Sequence, residues 1–128
     1  MKIHFYSFLD SVKQSSYITE ASFDLENNTY TFPDLSLENT KINLKLISNN
    51  EVIIERIGRV NSKMDFILNH TTTSFYNSKD LNFEFGINTK ELKINSNSVS
   101  ITYEYYYLDS LVGKIKIAVL IKDSNLLN

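Results

Sequence analysis

The feature that most constrains the fold of this chain is the alternation of apolar and polar residues, which continues along most of its length. It is clearest in the segments L-N-F-E-F-G-I, from Leu81 to Ile87, and I-K-I-A-V-L-I, from Ile115 to Ile121. Successive side chains of a β-strand point to opposite faces, so each segment acquires one apolar face. Eight Tyr and eight Phe, with abundant Ile, Val and Thr, agree with this period in favouring strands. The sequence therefore predicts an all-β protein.

Turn-forming residues, mainly Asn, Asp and Ser, divide the chain into short strand segments. The expected segments are residues 2–10, 15–25, 29–33, 40–48, 51–60, 62–69, 71–77, 80–89, 91–95, 98–108 and 112–122. Some should merge into longer bent strands, which leaves about 8 to 10 strands. Consecutive strands without helices between them predict an antiparallel meander, closed into a barrel or folded as a sandwich. We expect the barrel, because closure removes exposed strand edges.

The alternation also predicts which side chains form the core. Inward-facing positions recur at every second residue of four segments. They are Met64, Phe66 and Leu68, with His70 as a further candidate; Leu81, Phe83, Phe85 and Ile87; Val99, Ile101, Tyr103, Tyr105 and Tyr107; and Ile115, Ile117, Val119 and Ile121. A chain of 128 residues is long enough for one core, so residues 1–128 are expected to form a single domain.

Composition narrows the classes of function. A net charge of −2 provides no long-range attraction to nucleic acid or anionic lipid, and the absence of cysteine excludes disulfides and thiol chemistry. No segment approaches the roughly 20 apolar residues of a membrane-spanning helix. The first ten residues, M-K-I-H-F-Y-S-F-L-D, lack the unbroken apolar run of a signal peptide. We therefore expect a cytoplasmic protein without a nucleic-acid or membrane partner.

The candidate functional residue is Arg56, one of two arginines in the chain. On a strand it shares a face with Val52 and Ile54, so its guanidinium must find an anion or hydrogen-bond acceptors among apolar side chains. One interpretation is that it binds the carboxylate or phosphate of an amphipathic ligand whose tail lies along inward aromatic residues. The predicted ligand-binding residues are Arg56, Phe66, Phe83, Phe85, Tyr103 and Tyr105.

A second interpretation of Arg56 needs no ligand. The arginine then closes one end of a barrel filled by its own side chains, paired with a carboxylate such as Glu104 or Glu84, or with tyrosine hydroxyls and carbonyls. The other arginine, Arg59, lies on the opposite face with Glu55 and is expected to be a solvated cross-strand partner. The residues alone leave both interpretations of Arg56 open.

The sequence carries no signal for catalysis. His4 and His70 are the only histidines, and they lie on separate strands without a carboxylate at ligand spacing. Walker loops, dinucleotide-binding fingerprints and CxxC motifs are absent, and three isolated glycines do not form a phosphate-binding loop. We therefore expect no enzyme activity, no catalytic residue, no metal and no cofactor.

Several of these positions together resemble the YwiB-like bacterial proteins. The resemblance covers roughly residues 30 to 121, and its most specific part is R-x-G-x-V-x-x-x-M-x-F, beginning at Arg56. The further matching residues are Thr73, Tyr76, Thr89, Leu92, Ile101, Tyr103 and the last strand from Ile115 to Ile121. That family has no assigned function and a closed β-barrel of lipocalin, or calycin, type. The resemblance implies this fold and supplies no catalytic residues. The turn after Tyr76 departs from the family, which usually has Thr-Pro and Gly there.

Two functions remain open from the sequence. The first is a binding module that holds a small amphipathic or anionic ligand inside the barrel. The second is a structural or protein-interaction domain with a filled barrel and no ligand, which uses outward residues such as Ile18, Ile47, Ile67 and Tyr106. A cavity of about 300 Å³, the lower end for a ligand pocket, distinguishes the first from the second.

Overall fold

The structure is a computed structural model that describes residues 1–122. This part of the chain contains eleven β-strands and no helix that is long and apolar enough to cross a membrane. The strands are β1 (Lys2–Leu9), β2 (Val12–Glu20), β3 (Ser22–Asp24), β4 (Thr29–Pro33), β5 (Thr40–Ser48), β6 (Glu51–Gly58), β7 (Asn61–Ile67), β8 (Thr71–Asn77), β9 (Asn82–Asn95), β10 (Ser98–Tyr107) and β11 (Ser110–Lys122).

All eleven strands form one antiparallel sheet in the order β2-β1-β11-β10-β9-β8-β7-β6-β5-β4-β3. The sheet curls so that its two edge strands, β2 and β3, come together. Only Ala21 separates these strands in the sequence, and β2 also contacts β4. Within residues 1–122, no hydrogen-bonded ladder joins the two edges. The sheet is therefore a curled half-barrel, and the edges are connected only through the backbone at Ala21. The predicted all-β antiparallel meander is confirmed.

The strand count is slightly higher than the predicted 8 to 10, and the division into strands differs from the prediction in two places. Residues 15–25 divide at Ala21, because β2 pairs with β1 whereas β3 pairs with β4. The predicted segments 80–89 and 91–95 instead join, and residues 82–95 form the continuous strand β9. Its register against β10 shifts at Lys90, so that Thr89 lies opposite Tyr103 and Glu91 opposite Thr102. A bulge of this kind reverses the alternation, which explains the apparent break in the sequence.

The core occupies the inside of the curled sheet. Most of the predicted inward residues lie in it or pack against it, and Phe66, Ile87 and Ile101 are completely buried. Further buried apolar side chains lie outside the four predicted segments: Ile3, Phe5, Phe32, Ile42, Leu44, Val52, Ile54, Val60 and Leu92.

Three predicted inward residues are exposed instead. Leu81 precedes β9 in a turn where the Ser78 amide donates to the Leu81 carbonyl oxygen over 2.8 Å. His70 also lies in a turn, with its Nδ1 2.9 Å from the Leu68 carbonyl oxygen. Tyr107 follows a register shift between Tyr105 and Tyr106 and ends β10 at the rim. Alternation therefore fails where a strand ends or a bulge intervenes.

Gly58, the last residue of β6, allows the connection between β4 and β5 to pack closely against the end of that strand. Its φ of 142° lies in the region that favours glycine, and a Cβ there would lie 2.0 Å from the Asn39 carbonyl oxygen. The same carbonyl accepts a hydrogen bond from the Arg59 amide over 3.1 Å. Residues 34–39 are thereby held over the end of the barrel.

Candidate functional site

The candidate site is built on an ion pair between Arg56 and Asp34. The two residues meet across β5, because Ile42 lies opposite both Phe32 of β4 and Arg56 of β6. Asp34 directly follows β4, and Arg56 Nε donates to its Oδ2 over 3.1 Å. The Asp34 side chain is 2% exposed and that of Arg56 is 22% exposed. The acid is therefore buried, whereas the arginine reaches solvent.

Asp34 is fully engaged by hydrogen-bond donors. Its Oδ1 accepts from the Ser36 amide over 3.0 Å and from Ser36 Oγ over 2.5 Å. The first of these contacts forms the local turn that aspartate favours two residues before an amide. Tyr17 Oη donates to the same oxygen over 3.5 Å. With Arg56 on the other oxygen, the carboxylate is held in place from both sides.

Arg56 has unused donors on its amino groups. Within residues 1–122, Nε is the only side-chain nitrogen of Arg56 that donates a hydrogen bond to another residue. A guanidinium carries five N–H donors in a planar fork, so four remain on Nη1 and Nη2. The pair with Asp34 is therefore not the two-bond arrangement that would occupy the whole fork.

Two cavities lie on either side of Arg56. The larger measures about 300 Å³ and the smaller about 280 Å³, and Arg56, Met64 and Phe85 line both. The larger one is further lined by Phe5, Ser7, Phe8, Leu9, Gln14, Tyr103, Tyr105, Ile115 and Ile117. The smaller one is further lined by Asp34, Ser36, Leu37, Val60, Ser62 and Tyr76. The larger cavity lies near the β1–β2 and β10–β11 hairpins and combines one cation with mainly apolar side chains.

Four of the six predicted site residues line the larger cavity, whereas Phe66 and Phe83 line neither cavity. Arg56, Phe85, Tyr103 and Tyr105 line the larger cavity, where the rings of Phe85 and Tyr105 are 5.0 Å apart between centroids. Phe66 is completely buried and lies behind the cavity wall, with its ring 4.9 Å from that of Tyr103. Phe83 is half-buried, and its ring lies 5.8 Å from that of Phe85.

Two tyrosines near Arg56 have raised pKa values. Burial is the main cause for both Tyr17 and Tyr103, because it disfavours the phenolate. The carboxylate of Asp34 raises the pKa of Tyr17 further, whereas the Arg56 charge opposes the increase at both residues. Both hydroxyls are therefore protonated at neutral pH and available as uncharged hydrogen-bonding groups.

Arg56 pairs with a carboxylate and Arg59 is exposed, but the acids named as examples for Arg56 are not its partner. Glu104 binds Lys90 over 3.1 Å, and Glu84 is exposed on the face opposite Arg56. Glu55, expected beside Arg59, binds Lys45 over 2.7 Å. The acid that pairs with Arg56 is Asp34, which the sequence placed in a turn after Pro33. The structure does have a turn there, but the carboxylate of Asp34 is buried.

A larger depression of about 580 Å³ lies elsewhere on the molecule. It follows the cross-strand row of Phe8, Lys116, Thr102 and Glu91, and it includes none of the predicted aromatic site residues. Its lining contains two acids and two lysines along an exposed sheet face. Among the described residues there is also no group of three or more His, Cys, Asp or Glu that could hold a metal ion. The cavities beside Arg56 are therefore the better candidate site.

Fold and site together define a class: a small antiparallel β half-barrel with an ion pair and a cavity at one end. The model of a protein family described as "Domain of unknown function (DUF1934)" matches residues 10–119. The chain belongs to this family. No curated protein matches it.

Among solved structures, the chain is similar to the crystal structure of the YwiB protein from Bacillus subtilis. The two share 17% sequence identity and superpose with a TM-score of 0.68, over 95% of this chain and 91% of the other. At this identity the similarity shows the fold alone. Together with the family match, it confirms the resemblance to YwiB-like proteins of unknown function.

Proposed function

We propose that the protein is a binding module that holds a small amphipathic molecule in the cavity beside Arg56. The observation that carries this proposal is the position of Arg56: its Nε donates to Asp34, and the residue lines both cavities. The polar head of a ligand would accept hydrogen bonds from Nη1 and Nη2. Its apolar part would lie along Phe85, Tyr103 and Tyr105, which line the larger cavity.

The size and fold of the molecule support this proposal. The larger cavity, about 300 Å³, lies at the lower end of the range for ligand pockets, so the ligand is small. We assign the barrel to the calycin type, in which small barrels hold one ligand in their interior. The cysteine-free sequence supports a cytoplasmic location as part of the same proposal.

A binding role fits the site better than a catalytic one. Asp34 is the only acid that lines either cavity within residues 1–122, and it accepts hydrogen bonds from Arg56, Ser36 and Tyr17. A general base must be free to take a proton from the substrate. Asp34 is instead held by donors on both oxygens, so its chemistry supports orientation of Arg56.

Native mass spectrometry of the purified protein, alone and with short-chain amphipaths, tests the proposal. We expect a bound small molecule, and we expect Ser7→Phe to abolish binding because the added ring enters the cavity that Ser7 lines. The matched control is Ser16→Phe, which places the same ring on an exposed part of β2 and should leave binding intact. Absence of any adduct with the wild-type protein would contradict the proposal.

A second candidate function, a protein-interaction domain, rests on the tip of the β10–β11 hairpin. Leu108 is 81% exposed and has a φ of 50°, although leucine is rare in that region. Leu111 and Val112 are also exposed beside it. Of the outward residues predicted for such a function, Ile18 and Ile47 are exposed, whereas Ile67 and Tyr106 are half-buried. Sedimentation of the wild type and of Leu108→Ser tests whether the tip mediates association between copies.

A further inference from the structure

We infer that the head group held by Arg56 is uncharged, and that the ligand is an amide, ester or similar carbonyl compound with an apolar tail. This inference rests on the proposed function, because it specifies the chemistry of the ligand in the same cavity. It differs from the expectation based on the arginine alone, which was a ligand with a carboxylate or phosphate group.

The charge balance of the site is the first argument. Within residues 1–122, Arg56 is the only charged residue that lines the larger cavity, and Asp34, which lines the smaller cavity, compensates its charge through the ion pair. Asp34 is 2% exposed and 3.1 Å from the guanidinium, so solvent and salt screen its charge poorly. An anion bound at Nη1 and Nη2 would therefore be attracted by Arg56 and repelled by Asp34 at short range.

The rigidity of Asp34 is the second argument. Its Oδ1 is bound by Ser36 through both the amide and the hydroxyl, and Tyr17 donates to the same atom. The connection that carries it is held in turn by the contact of Asn39 with Gly58 and Arg59. Three donors besides Arg56 therefore hold the carboxylate in position and oppose a rotation that would release Arg56 to an incoming anion.

The hydrogen-bonding capacity of the site is the third argument. Nη1 and Nη2 carry four donors besides the Nε bond to Asp34, and a carbonyl oxygen accepts two hydrogen bonds without bringing a charge into the cavity. The other polar side chains that line the larger cavity are also uncharged, namely Ser7, Gln14, Tyr103 and Tyr105. Gln14 and the hydroxyls can both donate and accept, which suits an amide or an ester.

Calorimetric titration with three matched probes tests the inference. The probes are octanamide, methyl octanoate and octanoate, and the pH is about 8, where octanoic acid is ionised. We expect octanamide or methyl octanoate to bind about tenfold more tightly than octanoate, or better. Equal or tighter binding of octanoate would overturn the inference while leaving the proposed function intact. If none of the three binds, the proposed function fails and this inference fails with it.

Two variants separate charge from hydrogen-bond geometry. Asp34→Asn leaves the Arg56 charge uncompensated, so the preference should reverse toward octanoate. Arg56→Lys keeps the charge balance but loses the planar fork, so affinity for octanamide should fall. An unchanged preference in Asp34→Asn would contradict the role of Asp34. Should that variant fail to fold, wild-type titrations at lower pH still test the preference for an uncharged head group: octanoate must bind more tightly as it takes up a proton, while octanamide affinity stays constant.

Discussion

Arg56 Nε and Asp34 Oδ2 lie 3.1 Å apart, although the two residues are separated by 22 positions in the sequence. The contact joins β6 to the connection after β4, and Arg56 also lines two cavities. One side chain thus serves both interpretations that the sequence left open. Nε is part of a structural pair, and Nη1 and Nη2 are available to a ligand.

Replacement of Arg56 should destabilise the protein strongly. Arg56→Met leaves the buried carboxylate of Asp34 without its cation, which costs about 3 to 5 kcal/mol of unfolding free energy. Denaturant unfolding of the wild type and of Arg56→Met at neutral pH measures the difference.

Arg59→Met is the matched control, because Arg59 is the other arginine and its side chain is exposed. It should change the unfolding free energy by no more than about 0.5 kcal/mol. Similar losses for the two arginine variants would mean that the Arg56–Asp34 contact contributes nothing specific.

Gly58 should not tolerate a side chain. Gly58→Ala places a Cβ 2.0 Å from the Asn39 carbonyl oxygen at a φ of 142°, so either the backbone or residues 34–39 must move. We expect a loss of about 1 to 3 kcal/mol, measured by thermal or denaturant unfolding. Gly86→Ala is the control, because its Cβ would meet only ordinary contacts, the nearest being Tyr106 Cβ at 3.6 Å. A Gly58→Ala protein as stable as Gly86→Ala would show that the β4–β5 connection is not held as described.

Phe85 should contribute strongly to the core beneath the cavity. Phe85→Ala removes a buried ring that contacts Phe83 and Tyr105, and it should cost about 3 to 5 kcal/mol. Phe75→Ala removes the same ring from the exposed face of β8 and should cost less than about 1 kcal/mol. Denaturant unfolding of the pair tests the register of β8 and β9, because a shift of one residue would exchange the two results.

Stability should fall in alkaline solution because of Tyr103 and Tyr17. Their pKa values are raised in the folded protein, so the unfolded chain loses these protons first, starting near pH 10, the pKa of an unperturbed tyrosine. The stabilisation is complete below about pH 10 and is lost as the pH rises toward the folded values. Unfolding measured from about pH 8 to about pH 11 should therefore give a falling curve that Tyr103→Phe makes shallower. An identical slope in wild type and variant would contradict the burial of the Tyr103 hydroxyl.

The fold was predictable because its main signal is local. Period-two alternation depends only on neighbouring residues, and it identified Phe85, Ile101 and Tyr103 as inward without knowledge of which strands pair. It failed at Leu81 and Tyr107, where strands end, and it could not reveal that the bulge at Lys90 joins two segments into β9.

The candidate site was predictable only in part, because the partner of Arg56 depends on pairing between distant strands. Asp34 follows proline in a segment typical of turns, and nothing local indicates that it points inward. The position of Asp34 follows from the pairing of β4, β5 and β6, in which Ile42 lies opposite both Phe32 and Arg56. Arg56 could be predicted as a candidate site residue because its neighbours in the sequence are apolar. Its compensating charge, Asp34, could be identified only from the three-dimensional structure.

The most direct test of the account is an NMR spectrum of protein labelled with isotopic nitrogen only at arginine, since the chain has just two arginines. The Arg56 Nε–H should exchange with solvent more slowly than that of Arg59, because it donates to a buried carboxylate. Saturating octanamide should shift the Nη signals of Arg56 and leave those of Arg59 unchanged. If the two Nε–H groups exchange equally fast, or if octanamide leaves the Arg56 signals unchanged, the account of Arg56 as both structural partner and ligand donor is wrong.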